Sequence, residues 1–134
     1  MSRENVEVVR ASWEAWIKGD ATALLGILDS EVVYEDDLLP DHAGETYRGV
    51  EGLVRAWSSW TEPWDDFETD LEWVRDAGGD LVVSCHGARM RGSGSGIRGE
   101  IRYAYLWRFQ AGKIVYCKSF GEPTDALKAA GLSV

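Results

Sequence analysis

The order of patterns along the chain predicts an α+β fold. Apolar stripes with helical spacing fill the first 28 residues. Strict apolar–polar alternation begins at Phe67, and short glycine-containing turns then separate one strand from the next. Helices come first and an antiparallel meander comes last, which is the α+β pattern rather than the βαβ alternation of an α/β protein.

Residues 3–18 place Val6, Val9, Trp13, Trp16 and Ile17 on one helical stripe, with Ser2 expected as N-cap. Gly19 stops this helix and Asp20 caps a second over about 21–28, with Leu24, Leu25, Ile27 and Leu28. A strand follows over 31–37, then the tight segment GETYRG. A third helix over 50–61 carries Leu53, Val54, Trp57 and Trp60 and ends at Pro63. In the next strand Phe67, Thr69, Leu71 and Trp73 share one face and Glu68, Asp70 and Glu72 the other. The turn Ala77–Asp80 leads to LVVSCHGARMR, and the glycine-rich tip 91–99 leads to the strand IRYAYLWRF over 101–109. Gln110–Lys113 turns the chain into IVYCKSF. Pro123 and Thr124 open a short helix, DALKAA, closed by Gly131.

At 134 residues the chain is expected to form a single domain, 1–134, with a real core. Seven tryptophans supply large rings for a thick core or an apolar cavity. The net charge of −9 argues against nucleic acid and anionic membrane surfaces as partners. No apolar run approaches the roughly 18 residues of a membrane span, and MSRENVEVVR does not read as a secretory signal. Cys85 and Cys117 form no metal or redox motif, so reduced, buried cysteines in a cytoplasmic protein are expected.

The acidic run at the end of the first strand raises the question of function. Alternation puts Val32, Tyr34 and Asp36 on one face and Glu31, Val33, Glu35 and Asp37 on the other. Asp36 is thus the one carboxylate of Glu35-Asp36-Asp37 expected to point inward. An apolar cavity raises a carboxylate's proton affinity, which suits a general acid or base. The alternative is that Asp36 caps the following turn or faces water.

The pieces together resemble the nuclear transport factor 2-like superfamily, which includes SnoaL-like, polyketide-cyclase-like and ketosteroid-isomerase-like proteins. The amphipathic first helix ending in KGD, the strand VVYEDD, YRGVEGL, WRFQAGKIV and the tail ALKAAGL carry the resemblance over nearly the whole chain. It implies a cone: a strongly curved, mixed or antiparallel sheet wrapped around the N-terminal helices, enclosing an apolar pocket. It also implies a homodimer through the outer sheet face; read from the residues, Arg102 and Arg108 belong to a charged outer face and would rim such an interface around Ala104 and Leu106. In ketosteroid-isomerase-like enzymes a carboxylate at the end of this strand moves a proton on the substrate, which selects Asp36 again. The family's phenolic tyrosine on helix one falls at Ser12, and its second acid falls at Tyr105. Steroid isomerisation itself is therefore not expected, although Tyr105 can still donate to a developing oxyanion.

Other candidates need weighing against plain structural roles. His42 lies in the acidic loop and His86 in mid-strand; either can shuttle a proton near neutral pH, or serve as an ordinary polar residue. If His86 faces the pocket, it can pair with Asp36 in cyclisation, dehydration or epoxide opening. Trp13, Trp16, Trp57, Tyr103 and Trp107 are expected to wall a site for a flat or polycyclic ligand. Arg89, if inward, can hold a carboxylate or enolate. GSGSG lacks the context of a phosphate loop, and the acidic loop fits no metal-ligand spacing.

Three functions follow as expectations. The first is a cofactor-free, metal-free acid–base enzyme (isomerase, cyclase, dehydratase or hydrolase) acting on an apolar or aromatic small molecule, with Asp36, Tyr105, His86 or His42 in the chemistry. The second is a non-catalytic binding module with the same pocket. The third is a protein-interaction module whose cone is filled by its own tryptophans.

Overall fold

Helical spacing in the opening residues becomes α1 (Ser2–Lys18), whose Val9, Trp13 and Ala15 are buried. Ser2 is the first residue of this helix rather than its cap. The computed structural model describes residues 2–38, 44–92 and 98–132. Gly19, at φ 71°, ends α1, and the Asp20 carboxylate accepts the Ala23 amide hydrogen at 3.1 Å to start α2 (Ala21–Ile27). The first strand, β1 (Leu28–Asp37), begins three residues earlier than expected because Leu28 is already extended and buried.

The segment GETYRG contains a strand, β2 (Glu45–Arg48), antiparallel to β1. Gly49 turns the chain from β2 into α3 (Gly49–Thr61) at φ 73°, a conformation side chains with a Cβ resist. Gly52 lies against Tyr47, where an added Cβ would sit 3.2 Å from the Tyr47 Cβ. The two glycines of YRGVEGL thus fix a tight strand-to-helix corner.

The meander comprises β3 (Trp64–Gly78), β4 (Leu81–Gly92), β5 (Arg98–Gln110) and β6 (Lys113–Phe120). Among the described residues, six strands form one sheet in the order β2-β1-β6-β5-β4-β3. The β1–β6 pair is parallel and the others are antiparallel, so the sheet is mixed. Together the sheet and α1–α3 make the α+β cone, with the main core between them.

One face assignment is corrected. Leu71 pairs with His86 and Trp73 with Cys85, so two steps on β3 match one on β4. This bulge moves Trp73 off the inner face of Phe67, Thr69 and Leu71 and onto the outer face. The last helix, α4 (Pro123–Ala129), packs there, and its Ala126 and Leu127 join Val83, Ala104, Leu106 and Phe120 in a second cluster. Ala104 and Leu106 are therefore buried with the chain's own last helix. Among the described residues, no helix is long and apolar enough to cross a membrane.

Candidate active site

Period-two alternation in β1 carries through to its end. Leu28, Val32, Tyr34 and Asp36 are buried, and Asp36 is 3% exposed. Glu35 and Asp37 point to the other side, where Lys118 Nζ lies 3.9 and 3.4 Å from their carboxylates. The three adjacent acids thus have two different jobs. The outer pair shares a lysine, while Asp36 enters the wall of a cavity inside the cone.

Register decides what Asp36 meets. It pairs with Ser119 on β6, and Ser119 pairs with Tyr105 on β5. Ser119 is fully buried. Its hydroxyl accepts the Asp37 amide hydrogen at 3.2 Å and donates to Asp36 Oδ1 at 3.2 Å. The Leu38 amide donates to the same Oδ1 at 2.9 Å. Asp36 therefore does cap the turn after β1, and it lines the cavity as well; the two readings of the sequence are compatible.

The polar row continues past Tyr105 to Ser84 on β4. Ser84 Oγ accepts the Trp107 indole hydrogen at 2.7 Å and shares a 2.8 Å hydrogen bond with His86 Nε2. Burial, and then its neighbours Tyr103, Tyr34, Cys117 and Asp36, push the Tyr105 phenol well above its ordinary value. Tyr34 is likewise raised, first by burial and then by the Asp36 charge, with Ser119 pulling the other way. Both phenols keep their protons at working pH, so each can donate a hydrogen bond.

The rest of the wall is apolar. Trp13, Trp16, Trp57 and Trp107 line the cavity together with Trp60, Leu53 and the small Ser12. Trp57 stands edge-on to Trp13, Trp16 and Trp60, with ring centroids 6.1, 5.8 and 5.7 Å apart. The cavity measures about 60 Å³. That is room for a few waters or a small fragment. A polycyclic ligand fits only if the aromatic walls move.

Three expected site residues lie elsewhere. His86 is fully buried behind the wall, 4.2 Å from Trp13 and stacked on Tyr103 at 5.2 Å, and is not among the cavity-lining residues. Burial pushes its imidazole down to about 3, so it is neutral near pH 7. Among the described residues its Nδ1 has no hydrogen-bond partner. Tyr103 is also buried behind the wall and shares a 2.7 Å hydrogen bond with Thr69 Oγ1. Arg89 points outward, because alternation in β4 turns Ala88 and Met90 inward, and it pairs with Asp70 at 3.0 Å and Glu68 at 3.4 Å. His42 lies outside the described residues.

Sequence reasoning missed Tyr34 as a cavity-lining residue, and Ser119 and Ser84 as the hydrogen-bond partners behind Asp36 and Trp107. The signal for Ser119 was present: Cys117 and Ser119 alternate with Tyr116 and Lys118, and an inward cysteine carries the serine inward. Cys117 lines the cavity, but burial raises its thiol well above the ordinary value and keeps it neutral. Among the described residues, no three His, Cys, Asp or Glu side chains converge as a metal site.

Proteins of known structure share this architecture. An NTF2-like protein of unknown function from Burkholderia pseudomallei is 19% identical, with a TM-score of 0.73 over 93% of this chain and 95% of that one. TerC, crystallised with polyporic acid, is 15% identical, with a TM-score of 0.73 over 96% and 98%. IdmH from Streptomyces antibioticus, a candidate polyketide cyclase, is 20% identical, with a TM-score of 0.71 over 96% and 99%. These likenesses establish the fold. No curated protein matches the chain. The family model for the SnoaL-like domain matches residues 9–117, and the chain belongs to that family.

Proposed function

We propose that this protein is a cofactor-free acid–base enzyme acting on a small, largely apolar molecule. One observation carries the reading: Asp36 is a nearly inaccessible carboxylate in the wall of an aromatic cavity, and Tyr105 lines the same cavity one strand beyond Ser119. Asp36 takes a proton from a carbon next to a carbonyl, and the bonding electrons move onto the carbonyl oxygen. The Tyr105 phenol donates a hydrogen bond to that oxygen. Asp36 then returns its proton at another atom, completing an isomerisation; or the enolate carbon bonds to a second carbonyl and Asp36 protonates the alkoxide so formed; or the enolate expels a β-hydroxyl, which takes the Asp36 proton and departs as water. The solved relatives that are a candidate polyketide cyclase and a protein crystallised with polyporic acid support a ring-bearing ligand.

The competing reading is a non-catalytic pocket. It draws support from the cavity's small volume and from the two donors that hold Oδ1, which suit a structural cap. Deuterium exchange separates the two. Small cyclic ketones incubated with the protein in D2O are followed by proton NMR. Loss of α-proton signal faster than in buffer supports the enzyme; exchange no faster than buffer across ligands that demonstrably bind supports the passive pocket.

A further inference from the structure

The cavity that Asp36 lines is a chamber of one charge sign. Asp36 is buried in its wall, and among the described residues no lysine, arginine or histidine lines it. A second carboxylate stands next to the first on the neighbouring strand. Glu45 on β2 pairs directly with Asp36 on β1, on the same side of the sheet, and accepts the Tyr47 phenol hydrogen at 2.6 Å. Like charges opposed across two strands cost stability, and a cation beside them relieves that cost. The net charge of −9 extends the same field outward. An anion is repelled from this chamber and a cation is drawn to it.

The rest of the wall suits one kind of cation. Five tryptophans and two tyrosines line the chamber. Their ring contacts are continuous: Trp16, Trp57, Trp13, Tyr105 and Trp107 follow one another at centroid distances of 5.8, 6.1, 6.2 and 5.3 Å. The faces of such rings carry negative charge density and attract a cation without hydrogen bonds. Among the described lining side chains, oxygen is carried by Ser12, Tyr34, Asp36 and Tyr105 alone. A primary ammonium would lose a tight hydration shell here and find few acceptors for its three hydrogens. A quaternary ammonium needs none: its methyl groups meet apolar wall and its charge meets rings and Asp36. Size agrees, because a chamber of about 60 Å³ takes a small fragment, and a trimethylammonium head is compact and nearly spherical.

We infer that the ligand of this chamber carries a quaternary, trimethylammonium-like head, seated against the tryptophan rings with Asp36 as its counter-charge. This rests on the proposed chamber being the ligand site, and not on Asp36 moving a proton. The two are compatible. When Asp36 takes a proton from the substrate, the enolate takes over its negative charge, so a bound cation is balanced before and after the transfer.

The test uses the full chain and an isosteric pair, choline and 3,3-dimethylbutan-1-ol, in which a charged nitrogen replaces a neutral carbon. Calorimetric titration should show choline bound at least about tenfold more tightly than the alcohol. Nuclear Overhauser contacts from the choline methyl protons should reach Trp57 and Tyr105 of the chamber. Trp16→Leu, at a half-buried position, should weaken choline at least about fivefold and shrink its advantage over the alcohol. Asp36→Asn should weaken choline about tenfold with the same narrowing. An alcohol that binds as tightly as choline, no choline binding at about 10 mM, contacts that miss the chamber, or unchanged choline affinity in both variants would each overturn the inference. None of these readouts involves turnover. Deuterium exchange without choline binding would strike this inference alone, and choline binding without exchange would strike the proposed chemistry alone.

Discussion

Ser119 gives its hydroxyl hydrogen to Oδ1 of Asp36 across 3.2 Å, and the two residues sit opposite each other on parallel strands β6 and β1. The same hydroxyl takes the amide hydrogen of Asp37, so one buried serine both orients the carboxylate and satisfies the backbone beside it.

Ser119→Ala removes both bonds. It leaves the Asp37 amide without this acceptor and takes a donor from the Asp36 carboxylate. The expected cost is about 2 kcal/mol, read as a lower urea midpoint with an unchanged m-value. A loss within about 0.3 kcal/mol would mean that water replaces the hydroxyl without penalty.

His86 makes stability depend on pH in a predictable direction. Its folded value, about 3, is depressed below the ordinary 6.5, so between those limits the unfolded chain binds a proton that the folded chain does not. This contribution is fully present above about pH 6.5 and is lost as pH falls toward 3. Between pH 7 and 5.5 the wild type should lose about 1 kcal/mol more than His86→Phe, measured by urea denaturation at each pH. Equal losses in both proteins would show that the imidazole is reachable by protons while folded.

Gly49→Ala tests the strand-to-helix corner. The position needs φ 73°, and an alanine there should lower stability by about 1 kcal/mol even though alanine favours helices. A more stable variant would contradict the left-handed geometry.

Arg89→Ala tests a corrected assignment. Because Arg89 pairs with Glu68 and Asp70 on the outer face, its removal should leave the affinity for phenol within about twofold of wild type. A large loss would put the guanidinium back in the ligand's path.

Much of this was legible in the sequence for identifiable reasons. Val32, Tyr34 and Asp36 alternate cleanly with Glu35 and Asp37, so the inward direction of Asp36 followed from period two alone. Trp73 broke the same rule because a bulge adds one residue to β3, and nothing in DLEWVRD marks where a strand slips. The four-residue β2 was too short to show a period, and its pairing comes from β1 beside it. Ser119 and Ser84 escaped notice because serine in a strand reads as a surface residue; only the register across three strands turns them into partners of Asp36, Trp107 and His86. The sequence left His86 open between the pocket and the outer face and expected Tyr103 in the pocket wall, but even a known face does not tell whether a side chain reaches the cavity or stops one ring behind it.

The central claim is that Asp36 moves a proton inside the aromatic chamber, and its most direct measurement is the rate of α-deuterium exchange into a bound cyclic ketone by wild type and Asp36→Asn, with affinity measured for both. The account predicts that the variant binds the ketone with near wild-type affinity, because the amide keeps the carboxylate's shape, while protein-dependent exchange falls by at least about a hundredfold. An Asp36→Asn protein that binds and exchanges the ketone as fast as wild type would contradict it.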